Sequence, residues 1–333
     1  MKWNVCWLMD QKPGHLTKIK GVLKALRYHV ELDIQQIPIS GKHTFARKII
    51  PRIPFLPVDL FLGKKVSPPV DLIISAGGGT EWANAQLARK YHVPNIYIGS
   101  NRVCKPTDFT ILPRIGQGSL PNVLSLDFMP SEFDAEMIQK SASAELPHMT
   151  DRYWTVLIGG NGSGCIWKWE DHKKHAQELI REAIAANVKI IAASSRRTGT
   201  KAELIWKELL ADSGQLALGV WYSEPNPSSR PSIAAMMGAA ELIIVTEDSA
   251  SMISEAVATG RRVATIKPPI TQLHAIQEQM LENLSKQGRI IRIGDSYLSL
   301  REQSLQLADA LNPQWHKELG LKILSRLNMI HKI

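Results

Sequence analysis

Short apolar runs alternate with helical periodicity along most of this chain. Runs rich in β-branched residues predict strands, at residues 3–9, 29–39, 71–76, 95–98, 108–112 and 122–126 in the first half, and at 154–158, 188–193, 216–222, 242–246, 263–266 and 290–293 in the second. Between them, apolar residues three and four apart, such as Leu16, Ile19 and Leu23, predict amphipathic helices. Strands that alternate with helices form parallel sheets, so the pattern predicts an α/β fold.

The pattern also divides the chain. Residues 131–151 are rich in Ser, Glu, Pro and His and lack a strand pattern, and 333 residues are enough for two domains of roughly 150 residues each. We therefore expect a Rossmann-like N-terminal acceptor domain over residues 1–135 and a second Rossmann-like domain over residues 150–300, with their parallel sheets facing each other across a cleft. Beyond Tyr297 the pattern is helical only, which predicts C-terminal helices over residues 301–333 that pack across the domains.

Three loops in the second half follow predicted strands and carry groups suited to a phosphate. Glycines in residues 159–164 expose backbone N–H groups, Arg196 and Arg197 offer forked donors, and Glu255 can accept hydrogen bonds from ribose hydroxyls. Taken singly, these features also fit a tight turn, a solvated basic loop and an exposed helix carboxylate. Their shared place at one sheet edge favours a nucleotide-type anion site. The predicted donor-binding residues are Gly160, Asn161, Gly162, Ser163, Ser195, Arg196, Arg197, Thr198, Glu247, Asp248, Ser249, Ser251, Met252 and Glu255.

These loops resemble the sugar-nucleotide domain of GT-B glycosyltransferases, and the wider pattern resembles one family. The chain is identified as a bacterial member of the "elongated mitochondria" family, which is associated with mitochondrial fission and classed with the GT-B glycosyltransferases. The matching stretches are residues 10–15, 75–80, 158–160, 195–198, 226–227 and 246–255. An aromatic residue is expected after Asn226 and Pro227, but Ser228 and Ser229 follow, which argues against a stacking role there.

The resemblance implies a GT-B fold and a nucleotide-sugar donor held by the second domain. It places Glu255 at the donor ribose. It also implies that no divalent metal or other cofactor is needed, because helix dipoles and basic side chains stabilise the departing diphosphate.

Polar residues also follow the first predicted strand, just before a helix begins. Inverting sugar transfer needs a base for the acceptor hydroxyl, and His15 has the reference pKa nearest neutrality, while Asp10 can orient it or act instead. His15 could equally cap the helix or pack under a loop. A second glycine loop, residues 77–79, could contact the acceptor or the donor phosphates, or it could form only a tight turn between a strand and a helix. The predicted acceptor-side residues are Lys12, Gly77, Gly78, Gly79, Thr80 and Arg114.

Composition limits the partners of this chain. Lys and Arg total 40 against 31 Asp and Glu, a net charge of +9, which suits an anionic substrate, an acidic membrane surface or nucleic acid. The basic residues are too dispersed to form the basic stripe of a nucleic-acid-binding protein.

The cysteines indicate the compartment. The three are scattered and fit neither a disulfide framework nor a zinc site, so we expect a reducing cytoplasm. No apolar stretch reaches the roughly 20 residues that cross a bilayer, and no signal-peptide cleavage site follows the first strand.

Between Lys42 and Lys65, basic residues alternate with apolar ones, and prolines exclude one long helix. This mixture suits peripheral docking on the anionic cytoplasmic face of an inner membrane, although a loop packed on the core has the same composition.

Three functions remain open on the sequence. The leading one is a metal-independent glycosyltransferase that acts on an envelope glycan or lipid acceptor, such as a lipopolysaccharide core. A nucleotide-sugar 2-epimerase shares the fold and needs no acceptor. The third is a non-catalytic adaptor that associates with membranes or proteins. The residues that argue against it are Asp10, His15, Arg196, Arg197 and Glu255.

Overall fold

A computed structural model describes residues 2–39, 57–116, 118–225, 230–294, 297, 300–307, 311–312 and 314–330. The chain forms two compact units, Met1–Glu132 with Gln314–Ile333, and Phe133–Pro313. Asn226, Pro227, Ser228, Ser229 and most of the predicted membrane-docking segment lie outside the described residues.

The elements alternate between strand and helix along both units. The strands are β1 (Lys2–Met9), β2 (Glu31–Pro38), β3 (Leu72–Ala76), β4 (Asn95–Ile98), β5 (Leu112–Ile115), β6 (Val123–Leu126), β7 (Tyr153–Ile158), β8 (Cys165–Ile166), β9 (Lys189–Ser194), β10 (Leu216–Val220), β11 (Leu242–Thr246), β12 (Arg262–Ile266), β13 (Ile270–Thr271) and β14 (Ile290–Ile293). The α-helices are α1 (Pro13–Arg27), α2 (Glu81–Tyr91), α3 (Ala135–Glu145), α4 (Trp169–Ala185), α5 (Thr200–Asp212), α6 (Ile233–Ala239), α7 (Ala250–Ala258), α8 (Ala275–Lys286), α9 (Leu300–Leu305) and α10 (Trp315–Ile330). Short 3-10 helices lie at Val58–Phe61 and Pro106–Asp108.

The first unit is built on a four-stranded parallel sheet in the order β2-β1-β3-β4. Strand β1 buries both faces because its side chains alternate in direction. Val5 and Trp7 pack in one apolar cluster with α1 and α10, while Cys6 and Leu8 pack in another with α2. Burial on both faces explains why residues 5–9 of this strand are an unbroken apolar run.

The second unit is built on a six-stranded parallel sheet in the order β10-β9-β7-β11-β12-β14. Trp154, Val156 and Ile158 of β7 pack with α4 and α5 through residues such as Leu179 and Trp206. Each unit is a parallel sheet flanked by helices, which confirms the predicted α/β class with two Rossmann-like domains.

Several details differ from the sequence-based expectations. The sequence predicts the fifth strand at residues 108–112, but β5 begins at Leu112, preceded by an isolated bridge between Ile111 and Ile96. Residues 106–108 form a 3-10 turn instead, and Phe109 stacks on Tyr97. The boundary segment, residues 131–151, contains no strand, as expected, but it holds the helix α3, whose first turn is capped by Asp134. Helix α10 packs on α1 within the first unit, whereas α9 belongs to the second. The predicted cleft between the two sheets stays a prediction.

Among the helices that the structure describes, none combines the length and the apolar character needed to cross a bilayer.

Candidate functional site

Three loops that were predicted to bind a donor follow β7, β9 and β11. These strands are neighbours in the sheet and run parallel, so their carboxyl ends lie at one edge. The loops after them therefore start side by side, where ligands bind in open α/β sheets.

Hydrogen bonds join the loop after β7 to the loop after β9. The Thr198 hydroxyl donates to the carbonyl oxygen of Ile158 at 2.7 Å and accepts the backbone N–H of Ser195 at 2.9 Å. A methyl group on Gly160 would lie 1.8 Å from the carbonyl oxygen of Arg197. Only glycine at position 160 allows the two backbones to approach this closely.

A second set of contacts joins the loop after β7 to the loop after β11. The Gly159 N–H donates to the Thr246 hydroxyl at 2.7 Å, and this hydroxyl donates to Asp248 Oδ1 at 2.6 Å. Arg197 then reaches across from the β9 loop, with Nη1 3.1 Å from the Asp248 carbonyl oxygen and Nη2 2.9 Å from Oδ2. The Nη2 contact is an ion pair without hydrogen-bond geometry. The three predicted loops thus form one connected structure.

Two of the predicted donor-binding carboxylates are enclosed by protein. Glu247 is fully buried and accepts hydrogen bonds from Arg292 Nε and Nη2 at 2.9 and 2.8 Å and from the Thr265 hydroxyl at 2.8 Å. Asp248 is also fully buried, and its burial raises the pKa of its carboxyl above the usual range. The prediction that these two side chains contact the ligand directly is therefore corrected. Both are buried in the protein and support the loop instead.

The start of α7 retains the features expected of an anion site. The Ser249 hydroxyl caps the helix by accepting the backbone N–H of Met252 at 3.4 Å. Ser251 and Glu255 lie within the first turns of α7 and are partly exposed. A helix start of this kind directs backbone N–H groups and partial positive charge outward.

The remaining predicted donor residues lie on exposed parts of the first two loops. Asn161 is exposed, but its side-chain oxygen accepts the Trp167 N–H at 2.7 Å, so this amide shapes the loop. Gly162 and Ser163 are partly exposed, and Arg196 is exposed. Of the predicted cations, Arg196 faces solvent, while Arg197 is committed to Asp248.

The first unit brings Asp10, His15 and Gly77 together at the ends of β1 and β3. His15 Nδ1 lies 2.6 Å from Asp10 Oδ2, and both side chains are partly accessible. A methyl group on Gly77 would lie 2.1 Å from the His15 ring, and its φ of +85° already favours glycine. His15 is the third residue of α1 and does not cap that helix.

The other predicted acceptor-side residues differ in exposure and in the contacts that they make. Lys12 is exposed at the start of α1, and Gly78 and Gly79 are partly exposed. Thr80 is buried and donates its hydroxyl to the Gly77 carbonyl oxygen at 2.9 Å, so it closes the turn. Arg114 lies inside β5 rather than after a strand, where it donates to Asn101 and burial lowers its pKa.

Sequence reasoning missed three supporting residues. Thr246 links two loops through its hydroxyl, and Arg292 neutralises Glu247 from a strand 45 positions away. Glu81 accepts three backbone N–H groups, from residues 102–104. Only Glu81 had a local signal, since it ends the second glycine loop. Within the described part of the chain, no group of three or more His, Cys, Asp or Glu residues could hold a metal ion.

The chain matches the family described as Mitochondrial fission ELM1 over residues 13–314. No curated protein sequence matches it.

Solved structures share the fold at low identity. A Listeria monocytogenes protein, provisionally assigned as a UDP-N-acetylglucosamine 2-epimerase, has a TM-score of 0.61 and 12% identity over 99% of this chain and 97% of its own. The UDP-GlcNAc 2-epimerase from Neisseria meningitidis, bound to UDP-GlcNAc, has a TM-score of 0.57 and 13% identity over 99% of this chain and 100% of its own. MnaA from S. aureus, solved with UDP, has a TM-score of 0.57 and 11% identity over 100% of this chain and 97% of its own. At such identities the likeness concerns the fold.

Proposed function

The chain belongs to this Mitochondrial fission ELM1 family, and from that premise we propose that it is a metal-independent, inverting glycosyltransferase. The donor is a nucleotide sugar, and the acceptor is an envelope glycan or lipid such as a lipopolysaccharide core. The observation that supports this most is the joining of three loops at the carboxyl edge of β9, β7 and β11.

The second unit supplies the donor-binding side of the reaction. Backbone N–H groups at the start of α7 and in the glycine loop bind the diphosphate, and Glu255 accepts hydrogen bonds from the ribose hydroxyls. Because Arg197 is already neutralised by Asp248, Arg196 supplies the mobile positive charge for the leaving group. Donors that are already oriented stabilise the developing charge without reorganising.

The first unit supplies the base. A carboxylate can only accept, so the Asp10 contact fixes the hydrogen on His15 Nδ1 and leaves the Nε2 lone pair available. Nε2 takes the proton of the acceptor hydroxyl as the hydroxyl oxygen forms its bond to the anomeric carbon. The bond from that carbon to the diphosphate breaks in the same step, and the electron pair leaves with the diphosphate.

The assignment of the acceptor and of its location depends on the charge of the chain. A net charge of +9 and the basic, apolar sequence between Lys42 and Lys65 favour an anionic, lipid-linked acceptor reached from the cytoplasmic face of a membrane.

A panel of nucleoside diphosphates and CMP in a thermal-shift assay tests the donor side. A ligand at about 100 times its Kd should stabilise the chain by roughly 2.7 kcal/mol. Glu255→Ala, which removes the acceptor, should abolish this shift, while the matched control Glu282→Ala, on the exposed ion pair of α8, should retain it. His15→Gln should bind the nucleotide like the wild type and lose sugar transfer. Full transfer activity in His15→Gln would refute the base assignment.

The solved structures favour one second candidate, a nucleotide-sugar 2-epimerase, because the similar folds include such enzymes. Incubation with UDP-GlcNAc in D2O, without any acceptor, separates the two functions. Deuterium at C2 of the sugar would support the epimerase and contradict simple transfer.

A further inference from the structure

Two arginines stand at the carboxyl edge of the first sheet, beyond the strands that carry the proposed base. Arg102 lies in the loop after β4, and Arg114 is the second-to-last residue of β5. A parallel bridge between Ile96 and Ile111 places β5 beside β4, so both strands end at the edge where β1 and β3 end. Ligands of open parallel sheets bind at this edge.

The guanidinium group of Arg114 reaches this edge. Its Nη2 donates to the side-chain oxygen of Asn101, which lies beyond the end of β4, and its Nη1 donates to the Pro113 carbonyl oxygen at 3.3 Å. Because a guanidinium group only donates, Asn101 must turn its oxygen toward Arg114. The buried Nδ2 of Asn101 is then left without a hydrogen-bond partner among the described residues. The pair therefore offers more hydrogen-bond donors than acceptors.

The charges of the two arginines are not neutralised by neighbouring side chains. In the part of the chain that the structure describes, no carboxylate oxygen lies within 4.0 Å of either guanidinium group. Arg102 is exposed and Arg114 is partly exposed. Burial lowers the pKa of Arg114, and the nearby Tyr97 and Glu81 offset this effect only in part. A partly desolvated guanidinium group without a counter-ion is costly, and an anionic ligand removes that cost.

Glu81 fixes the loop that carries Arg102. It is the first residue of α2 and is 1% exposed, and its Oε1 accepts the backbone N–H groups of residues 102, 103 and 104 at 2.9, 3.0 and 2.9 Å. Three hydrogen bonds to one buried carboxylate oxygen hold this loop in a single conformation. Arg102 is therefore positioned before any ligand binds, which lowers the entropic cost of binding.

The same loop starts beside the proposed base. Gly99 is the first residue after β4, and a methyl group on it would lie 3.3 Å from the Gly77 nitrogen. Gly77 in turn packs against the His15 ring. Strands β3 and β4 are neighbours, so their ends lie about 4.8 Å apart. A group bound by the two arginines therefore lies on the side of the acceptor, whose hydroxyl group His15 is proposed to deprotonate.

We propose that Arg102 and Arg114 bind an acidic group of the acceptor, either a phosphate monoester or a sugar carboxylate. The forked donors of a guanidinium group match the paired oxygens of both anions. The inference rests on the proposed function, which supplies the acceptor, and it deepens that function by requiring an acidic group close to the attacking hydroxyl.

Charged and uncharged monosaccharides, titrated into the full chain, test the proposal. With ¹⁵N-labelled arginine, the Nε–H signals of Arg102 and Arg114 should shift saturably with glucose 6-phosphate or glucuronate and stay fixed with glucose. A stronger response to glucose 6-phosphate assigns a phosphorylated acceptor, and a stronger response to glucuronate assigns a carboxylate-bearing one.

Variants of the two arginines test the same point by affinity. Arg102→Gln and Arg114→Gln should each raise the Kd of the preferred charged sugar at least tenfold. The matched control Arg89→Gln, in the same unit, should leave this Kd unchanged, because Arg89 is already paired with Asp108. Arg102→Gln alters an exposed side chain, so it keeps the test decisive if Arg114→Gln fails to fold.

Two results would overturn the proposal. In the first, the Nε–H signals stay fixed with both charged sugars, or move equally with glucose. In the second, Arg102→Gln binds the charged sugar like the wild type. Nucleoside diphosphate binding, measured on the same samples, separates the two proposals. If a nucleotide binds but neither charged sugar does, this subsite fails and the proposed function stands. If a charged sugar binds through both arginines but no nucleotide does, the proposed function fails and the anion site stands.

Discussion

Replacement of Gly77 by alanine is the sharpest test of the His15 and Asp10 arrangement. The new methyl group would meet the His15 ring at 2.1 Å and Asp10 Oδ2 at 2.9 Å. Gly214 offers a matched control, because its φ of +67° is similar and a methyl group there meets nothing within 4 Å. The control isolates the backbone cost from the cost of displacing the histidine.

The two costs differ in size. Alanine at positive φ costs about 1–2 kcal/mol, of which roughly 0.4–1 kcal/mol is offset by the reduced entropy of the unfolded chain, so Gly214→Ala should cost about 1 kcal/mol. In Gly77→Ala the ring must also retreat from 2.1 Å to ordinary contact at 3.4 Å, about 1.3 Å. This movement breaks the 2.6 Å contact with Asp10. A hydrogen bond to a charged group contributes about 1.5–3 kcal/mol, and partial exposure favours the lower end, so the total is about 2.5 kcal/mol.

The free energy of unfolding of each variant is measured by urea unfolding. Hydrogen exchange of peptides from each unit reports the first unit, which holds Gly77, separately from the second, which holds Gly214. We expect Gly77→Ala to lose about 1.5 kcal/mol more than Gly214→Ala, with changed His15 signals in NMR spectra. Equal losses within about 0.5 kcal/mol, together with unchanged His15 signals, would refute the packing of the histidine on Gly77.

Three further changes test the joined loops, each by urea unfolding. Thr198→Val removes a buried hydroxyl with two hydrogen bonds and should cost about 2 kcal/mol; a loss under about 0.5 kcal/mol would contradict its linking role. Glu247→Ala leaves Arg292 without its main partner and should cost about 3 kcal/mol, whereas Glu282→Ala, on an exposed pair, should cost under about 1 kcal/mol. Burial raises the pKa of Asp248, so the folded state holds this proton more tightly than the unfolded chain does. That stability is present below the ordinary aspartate pKa and is lost as the pH rises through the raised value. The wild type should therefore lose stability relative to Asp248→Asn as the pH rises above the ordinary aspartate pKa of about 4, and a constant difference would contradict the raised pKa.

The pattern of apolar and polar positions determined the fold class and most of the strands. Residues 5–9 of β1 are an unbroken apolar run because different helices cover the two faces of the strand. Such a run is visible in the sequence itself. The order of loops after strands also identified which turns lie at a sheet edge, since parallel strands end at the same side. Asp134 is a residue type that commonly caps helices, so the sequence also indicated the start of α3, a helix that the predicted boundary segment did not include.

The direction of individual side chains depended on tertiary structure. Glu247 and Asp248 lie in a loop whose sequence suits a ligand, yet Arg292 and Arg197, distant in the chain, draw both carboxylates inward. The ring nitrogen Nδ1 of His172 likewise accepts its hydrogen bond from the indole N–H of Trp206, 34 positions away in the chain. Periodicity reports which face of an element is buried, because that depends on neighbouring residues. The partner of a buried charge or ring nitrogen is chosen by packing between elements far apart in sequence, so only the folded chain reveals it.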